Sequence, residues 1–291
     1  MVTNLGRAVN AIDIREAGAA RDLLKSYQPD EIYYLAAYHH SSQDMLADEG
    51  ELFKKSFDTH VHALVNFLEA MRRVAGFSRL FYAGSSHIFG SPARCPQDEE
   101  TPYNPNCVYG ITKTAGIRAC QYYRQRHSLF ACAGILYNHE SPLRAAKFIS
   151  KKIVNTALAI KNREKDRLVV GDLGAQIDWG YAPDYVEAMT QIMRLDVPEE
   201  FIISSGTRHT VRDFIEGVFD ALGLDWRKYV QEDATLITKR RKANLQGDHR
   251  KLTAMTGWKP KVTFYGLIQT LVHQEIKARG QEQNTDIYSN L

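Results

Sequence analysis

Short runs of β-branched and aromatic residues alternate along the first half of the chain with longer stretches whose apolar positions recur every three or four residues. Residues 30–37 (DEIYYLAA) follow the Gln28-Pro29-Asp30 break and predict a strand. Between Glu51 and Arg73, the residues Phe57, Val61, Leu64, Leu68 and Met71 fall at helical spacing and predict a helix. Residues 79–86 (RLFYAGSS) predict a second strand ending in small side chains, 108–125 a helix, and 130–137 (FACAGILY) a third strand. That rhythm implies a parallel sheet covered by helices and joined by right-handed crossovers.

The second half is less regular. A helix is expected over 147–160, a strand over 167–174, a helix over 185–195 and a strand over 201–206. The next helix starts near Thr210, where Thr210-Val211-Arg212-Asp213 has the form of a capping box with Asp in place of Glu, and Gly223 and Gly257 mark later stops. The expected organisation is a partial dinucleotide-binding domain over 1–142 and a mainly substrate-binding lobe over 143–291, with segments around 168–205 returning to the main sheet.

Composition narrows the function classes. The chain has 291 residues, 44% of them hydrophobic and 24% charged, which suits one large or two smaller domains. Thirty-seven Lys and Arg against thirty-four Asp and Glu leave +3, no net field for gripping a nucleic acid or an anionic membrane. No stretch approaches the ~18 apolar residues of a membrane span, and the first residues lack the apolar core of a signal peptide. Cys95, Cys107, Cys120 and Cys132 form no CxxC pair, so the expectation is reduced thiols, no metal and a cytoplasmic location.

Candidate chemistry centres on Tyr109-Gly110-Ile111-Thr112-Lys113. Four residues on a helix make nearly one turn, so the tyrosine and the lysine project from one face. A nearby ammonium favours phenolate and is expected to acidify Tyr109, which can then exchange a proton with a substrate hydroxyl. Upstream, a strand ends in Gly84-Ser85-Ser86-His87, and ligands of open α/β sheets bind outside the carboxyl ends of strands. A hydroxyl at Ser85 can share a substrate oxygen with Tyr109; the alternative is a turn that satisfies its own backbone.

SSxxFG (85–90) followed by YGxxK (109–113) resembles the extended short-chain dehydrogenase/reductase superfamily of NAD-dependent epimerases and dehydratases. Within it, QPDEIYYLAA (28–37), ILYNHESPLR (135–144), DWGYAPDYVEAM (178–189), SSGTRHTVRDFIE (204–216) and TGWKP (256–260) are most similar to the GDP-mannose 4,6-dehydratase group. The resemblance implies an α/β fold with a Rossmann-like sheet, NADP or NAD as cofactor, and a GDP-hexose or GDP-heptose substrate. Such dehydratases take hydride from C4, eliminate water across C5 and C6, and return hydride to C6. By the same resemblance Ser85 is the active-site hydroxyl, Tyr109 the base and Lys113 its partner. Asp13 falls near adenine; Ala36, Ala37 and His40 fall on the loop beside the cofactor. Tyr137 and His139 fall toward nicotinamide, Ser86, Asn138 and Glu140 toward the sugar, and Lys147 and Lys152 toward the nucleotide. A homodimer or homotetramer, paired through the Tyr109 helix and the helix over 57–71, is also implied.

Three departures qualify that picture. The early glycines are Gly6 and Gly18, and neither belongs to a GxxGxxG turn, so the first strands and the phosphate loop of the family are not found; a fragment of a longer product is the expected explanation. His87 stands where the family has a carboxylate to move the C5 proton. Ile177 replaces an arginine; Arg240 and Arg241, within Lys239–Lys242, are the candidate replacement for a diphosphate contact, the alternative being a solvated loop. His39, Cys107, Trp226 and Trp258 read as packing residues, and His60 and His62 point to different helix faces. The chemistry expected is dehydration; epimerisation or ketoreduction on the same scaffold, and an inactive binding or dimerising fragment, are the alternatives.

Overall fold

The structure, a computed structural model, describes residues 2–4, 7–9, 12–39, 48–236 and 244–288, with side chains over 12–39, 48–236 and 244–280. His40, Arg240 and Arg241 lie outside the described residues. The chain opens with β1 (Val2–Asn4), β2 (Arg7–Val9), α1 (Ala17–Tyr27), β3 (Glu31–Tyr34), α2 (Glu49–Phe57), α3 (Ala63–Val74) and β4 (Arg79–Ala83). It continues through α4 (Val108–His127), β5 (Phe130–Leu136), β6 (Asn138–Glu140), α5 (Ile149–Lys161), β7 (Leu168–Val170), β8 (Gln176–Tyr181) and α6 (Ala182–Ile192). Last come β9 (Glu200–Ile203), β10 (Arg208–Thr210), α7 (Val211–Ala221), β11 (Val230–Glu232), α8 (Arg250–Thr256) and α9 (Phe264–Tyr288).

The main sheet runs β3-β4-β5-β9, all parallel, with Tyr34 beside Tyr82, Ala83 beside Gly134 and Gly134 beside Phe201. Both faces are covered, which is why these strands read as continuous apolar runs. Successive side chains take opposite sides. Leu80, Tyr82, Ala131 and Ile135 pack with α1, α3 and α4, while Phe81, Cys132 and Ile203 pack with Tyr185, Met189 and Ile192 of α6. Among the described residues, β1 and β2 pair only with each other.

Within 168–205, only β9 joins the main sheet. β7 pairs with β11, and β8 lies between β6 (parallel) and β10 (antiparallel). This second layer has its own core, in which Trp179, Phe214 and Phe264 meet Ile153, Leu158 and Val218. α7 opens with a reciprocal capping box between Thr210 and Asp213, and Gly223 and Gly257 take positive φ values of 70° and 74° at their helix ends.

The helix expected over 51–73 is a single rod with a π turn, Asp58–His62, between α2 and α3. Such a turn holds one residue more than the regular ladder and loosens its carbonyls. Two phenols from the sheet compensate: Tyr34 Oη donates to the carbonyl of Thr59 and Tyr82 Oη to that of His60 (3.3 Å). No helix among the described residues is long and apolar enough to cross a membrane.

Candidate active site

Because β3, β4 and β5 are parallel neighbours, their carboxyl ends share one rim, and the segments 35–39, 84–90 and 137–140 leave from it. The first turn of α4 lies directly on the middle one. A Cβ on Gly110 would sit 2.5 Å from the carbonyl oxygen of His87, so only glycine permits that approach. At the β4 end, Ser85 caps the turn Ser86–Phe89 and accepts from the His87 N–H at 3.3 Å. Its hydroxyl proton is not needed for that bond. Ser86 is buried beside it.

Lys113 is 1% exposed. Its Nζ donates to the carbonyl of Ala83 at 2.8 Å and stands 5.6 Å from the centroid of the Tyr109 ring and 5.0 Å from that of Tyr82. Burial pushes this amine down to about 7. The expectation that Lys113 acidifies the phenol is therefore corrected. Burial drives Tyr109 up to about 12, and the cation that opposes this rise is Arg144.

Three imidazoles surround Tyr109. The ring centroids of His39, His60 and His87 lie 5.5, 5.2 and 5.8 Å away, the last two edge to face. His39, read from sequence as a packing residue, is exposed and also meets Phe148 at 5.0 Å. Cys107, also read as packing, is the half-buried N-cap of α4, with Sγ 3.7 Å from Nδ1 of His87.

The third segment supplies charge. Glu140 is 1% exposed and accepts from Ser150 Oγ at 2.6 Å, with the Arg144 guanidinium 3.3 Å away. Burial raises its carboxyl above the usual range; Arg144 and Ser150 pull the other way. Arg144 also stacks on Phe148, 3.6 Å from the ring centroid. His139 packs on Tyr185 and shares a 2.8 Å hydrogen bond with the carbonyl of Tyr137 through Nδ1. Tyr137 turns its hydroxyl to Gln97 Oε1 at 2.9 Å, so the phenol is committed to the protein interior. Asn138 is half-buried.

The family's sequence profile, described as GDP-mannose 4,6 dehydratase, matches residues 6–271. The chain belongs to the GDP-mannose 4,6-dehydratase family. GDP-mannose 4,6 dehydratase 2 of Arabidopsis thaliana is 35% identical over 275 residues, covering 93% of this chain and 72% of that protein. The GDP-mannose 4,6 dehydratase of Homo sapiens is 29% identical over 284 residues, covering 91% and 75%. Among solved structures, RMD from Pseudomonas aeruginosa complexed with NADPH superposes with a TM-score of 0.80 at 20% identity, covering 91% of this chain and 87% of that one. A UDP-glucose 4-epimerase of Thermotoga maritima, with UDP-glucose, gives 0.80 at 17% identity, covering 95% and 86%. At such identities the structures show a shared Rossmann-like α/β fold, and the family match identifies a nucleotide-sugar dehydratase-type enzyme.

The other positions that the family resemblance selects are less concentrated. Asp13 is exposed and doubly hydrogen-bonded to Arg15, which holds its carboxyl down to about 2. Ala36 is half-buried and Ala37 exposed on the segment after β3. Lys147 is exposed near Phe148, and Lys152 Nζ donates to the carbonyl of Val169 at 3.1 Å. Ile177 pairs with His209 across β8 and β10.

Three residues escape a sequence reading. Arg144 lies inside a family-like stretch, but its approach to Tyr109 and Glu140 has no local signal. His60 does face away from His62, but its full burial has no local signal. Asp178 gathers Ser205 N, Ser205 Oγ, Gly206 N and Gly247 N, at 2.9, 2.6, 3.2 and 3.1 Å, and so knots β8 to two later segments. A cavity of about 410 Å³ lies elsewhere, lined by Glu99, Glu100, Tyr103, Arg118, Glu199 and Lys251.

The donor set fits one end of a dinucleotide. A buried amine under Tyr109, a strand-end hydroxyl and three rim segments suit a ribose and a flat ring. For the diphosphate end, the sequence offers no GxxGxxG turn whose backbone N–H groups would hold it.

Proposed function

We propose that this chain carries out dehydration of a GDP-linked hexose or heptose at C4–C6, using NADP or NAD. The observation that supports this most is the convergence of Ser85, His87, Tyr109 and Lys113 on the carboxyl end of β4, in a chain of this family. When bound, the nicotinamide supplies hydride exchange with the sugar. Tyr109 holds and moves the proton at O4, and Ser85 shares that oxygen. Lys113 reaches a ribose hydroxyl from beneath, where an amine near 7 can gain or lose a proton at neutral pH. His87 stands for the family's carboxylate at C5. His139 lies toward the nicotinamide, and Asn138 and Glu140 toward the sugar. RMD from Pseudomonas aeruginosa is described with NADPH, which supports a nicotinamide cofactor here.

The test is incubation of the 291-residue chain with GDP-mannose and NADP, followed by product analysis. A 4-keto-6-deoxy sugar is expected, and Tyr109→Phe should lower its formation by about 10²–10⁴-fold. Absence of any keto product, or an unimpaired Tyr109→Phe, overturns the reading. His87 favours one second reading, an epimerase or ketoreductase; an epimeric product or stoichiometric NADPH oxidation would support it. We also propose a cytoplasmic homodimer or homotetramer; the free thiols of Cys95, Cys107, Cys120 and Cys132 are consistent with that location.

A further inference from the structure

We propose that His60 is a positioning residue for this reaction: as the neutral Nδ1–H tautomer it clamps the Tyr109–Lys113 turn of α4 to the backbone that follows β3. The proposal rests on the reading of Tyr109 as the proton-transfer group.

The hydrogen bonds dictate the tautomer. The Tyr38 N–H can only donate, and it lies 2.9 Å from Nε2, so Nε2 accepts and Nδ1 carries the proton. Nδ1 is 2.8 Å from Thr112 Oγ1. That hydroxyl sends its own proton to the carbonyl of Val108 (3.0 Å) or Tyr109 (3.2 Å). The chain therefore has one direction, from the segment after β3, through the imidazole and the threonine, into the first turn of α4. The imidazole also stands at 87° to the Tyr109 ring at 5.2 Å, which limits the tilt of the phenol.

Protonation would break this arrangement, because an Nε2–H would face the Tyr38 N–H. The ring is fully buried, and among the described residues the charged or titratable groups that face it are Lys113, His39 and Tyr109. Burial first, then Lys113 and His39, hold its pKa down to about 3. His60 thus stays neutral through the physiological range, and it acts through Tyr109 and Tyr38 without touching substrate.

A well-satisfied core histidine would contribute stability alone, and the experiment separates the two. In the full chain, His60→Ala should lower kcat by about 10–100-fold, the scale of an ångström-sized misplacement, with KM for GDP-mannose within about twofold. The alkaline titration of Tyr109, read as the phenolate absorbance lost in Tyr109→Phe, should shift. His60→Gln, which keeps a donor and an acceptor, should recover most of kcat. Thr112→Val, which cuts the chain beyond the imidazole, should mimic His60→Ala and add little to it. Wild-type kcat and an unmoved Tyr109 titration in His60→Ala overturn the proposal. Should that variant not fold, the same readings on Thr112→Val decide. Nitrogen NMR needs no turnover, so it remains decisive if the proposed reaction fails: a non-titrating Nδ1–H ring from pH 5 to 9 is expected, and an Nε2–H ring or a midpoint near 6.5 overturns it.

Discussion

The side-chain nitrogen of Lys113 donates to the carbonyl of Ala83 at 2.8 Å, and the phenol of Tyr109, one helical turn earlier, receives no such bond from it. The folded pKa of about 7 lies below the 10.5 of an unperturbed lysine. Between these values the unfolded chain keeps a proton that the folded chain releases, so the stability contribution rises with pH across that window, by about 1.4 kcal/mol per unit. It is complete above the unfolded value and lost as pH falls through the folded one. Urea unfolding of wild type and Lys113→Met at pH 7, 8.5 and 10 should show the wild type gaining on the variant. A constant difference would show that the amine is not desolvated.

Arg144 is the cation beside a carboxylate that has almost no water. Arg144→Leu leaves Glu140 with Ser150 as its remaining partner among the described residues and should cost about 3 kcal/mol at pH 8. Because the folded carboxyl is already raised, it takes up protons before the unfolded one does, and stability falls as pH rises through that window. The deficit of the variant should therefore shrink at pH 5. Equal deficits at both pH values would remove Glu140 as the cause.

Asp178 receives two donors on each oxygen. An asparagine amide nitrogen in place of Oδ2 would confront the N–H groups of Gly206 and Gly247. Asp178→Asn should thus be no better than Asp178→Ala, each losing about 2–4 kcal/mol in thermal or urea unfolding. A near-wild-type asparagine variant would mean that the knot rearranges freely.

Gly110 tests the contact between α4 and the 85–87 turn. The methyl of Gly110→Ala would meet the backbone of His87 at 2.5 Å, and backbone cannot swing aside as a side chain does. Turnover should drop about tenfold or more, as displacement of Tyr109 relative to Ser85 requires. Full activity with retained structure would show that this close approach is dispensable.

The main sheet is legible because its strands are buried on both faces and announce themselves as apolar runs. Residues 35–37 extend the apolar run but leave the strand: Leu35 is 53% exposed, and β3 stops at Tyr34. The second layer is harder. β6 and β10 have three residues each, and β8 reads QIDWGY, too mixed for either period. Tyr109 and Lys113 are legible as a helical pair, but their electrostatics depend on the depth of burial, which no spacing encodes. The partners of His60 come from positions 22 and 52 residues away, and those of Asp178 from 27 to 69 residues away.

The surplus residue in Asp58–His62 makes chain length itself a determinant at this place. Deleting one of the five would restore a regular spiral, and because the wide turn already absorbs the extra residue, everything beyond it would keep its face. Leu64, Phe67, Leu68 and Met71 would stay in the hydrophobic interior, while Tyr34 and Tyr82 would lose the loosened carbonyls that receive their protons. A one-residue shortening there would be felt at two phenols on the sheet and spare the core face of the helix.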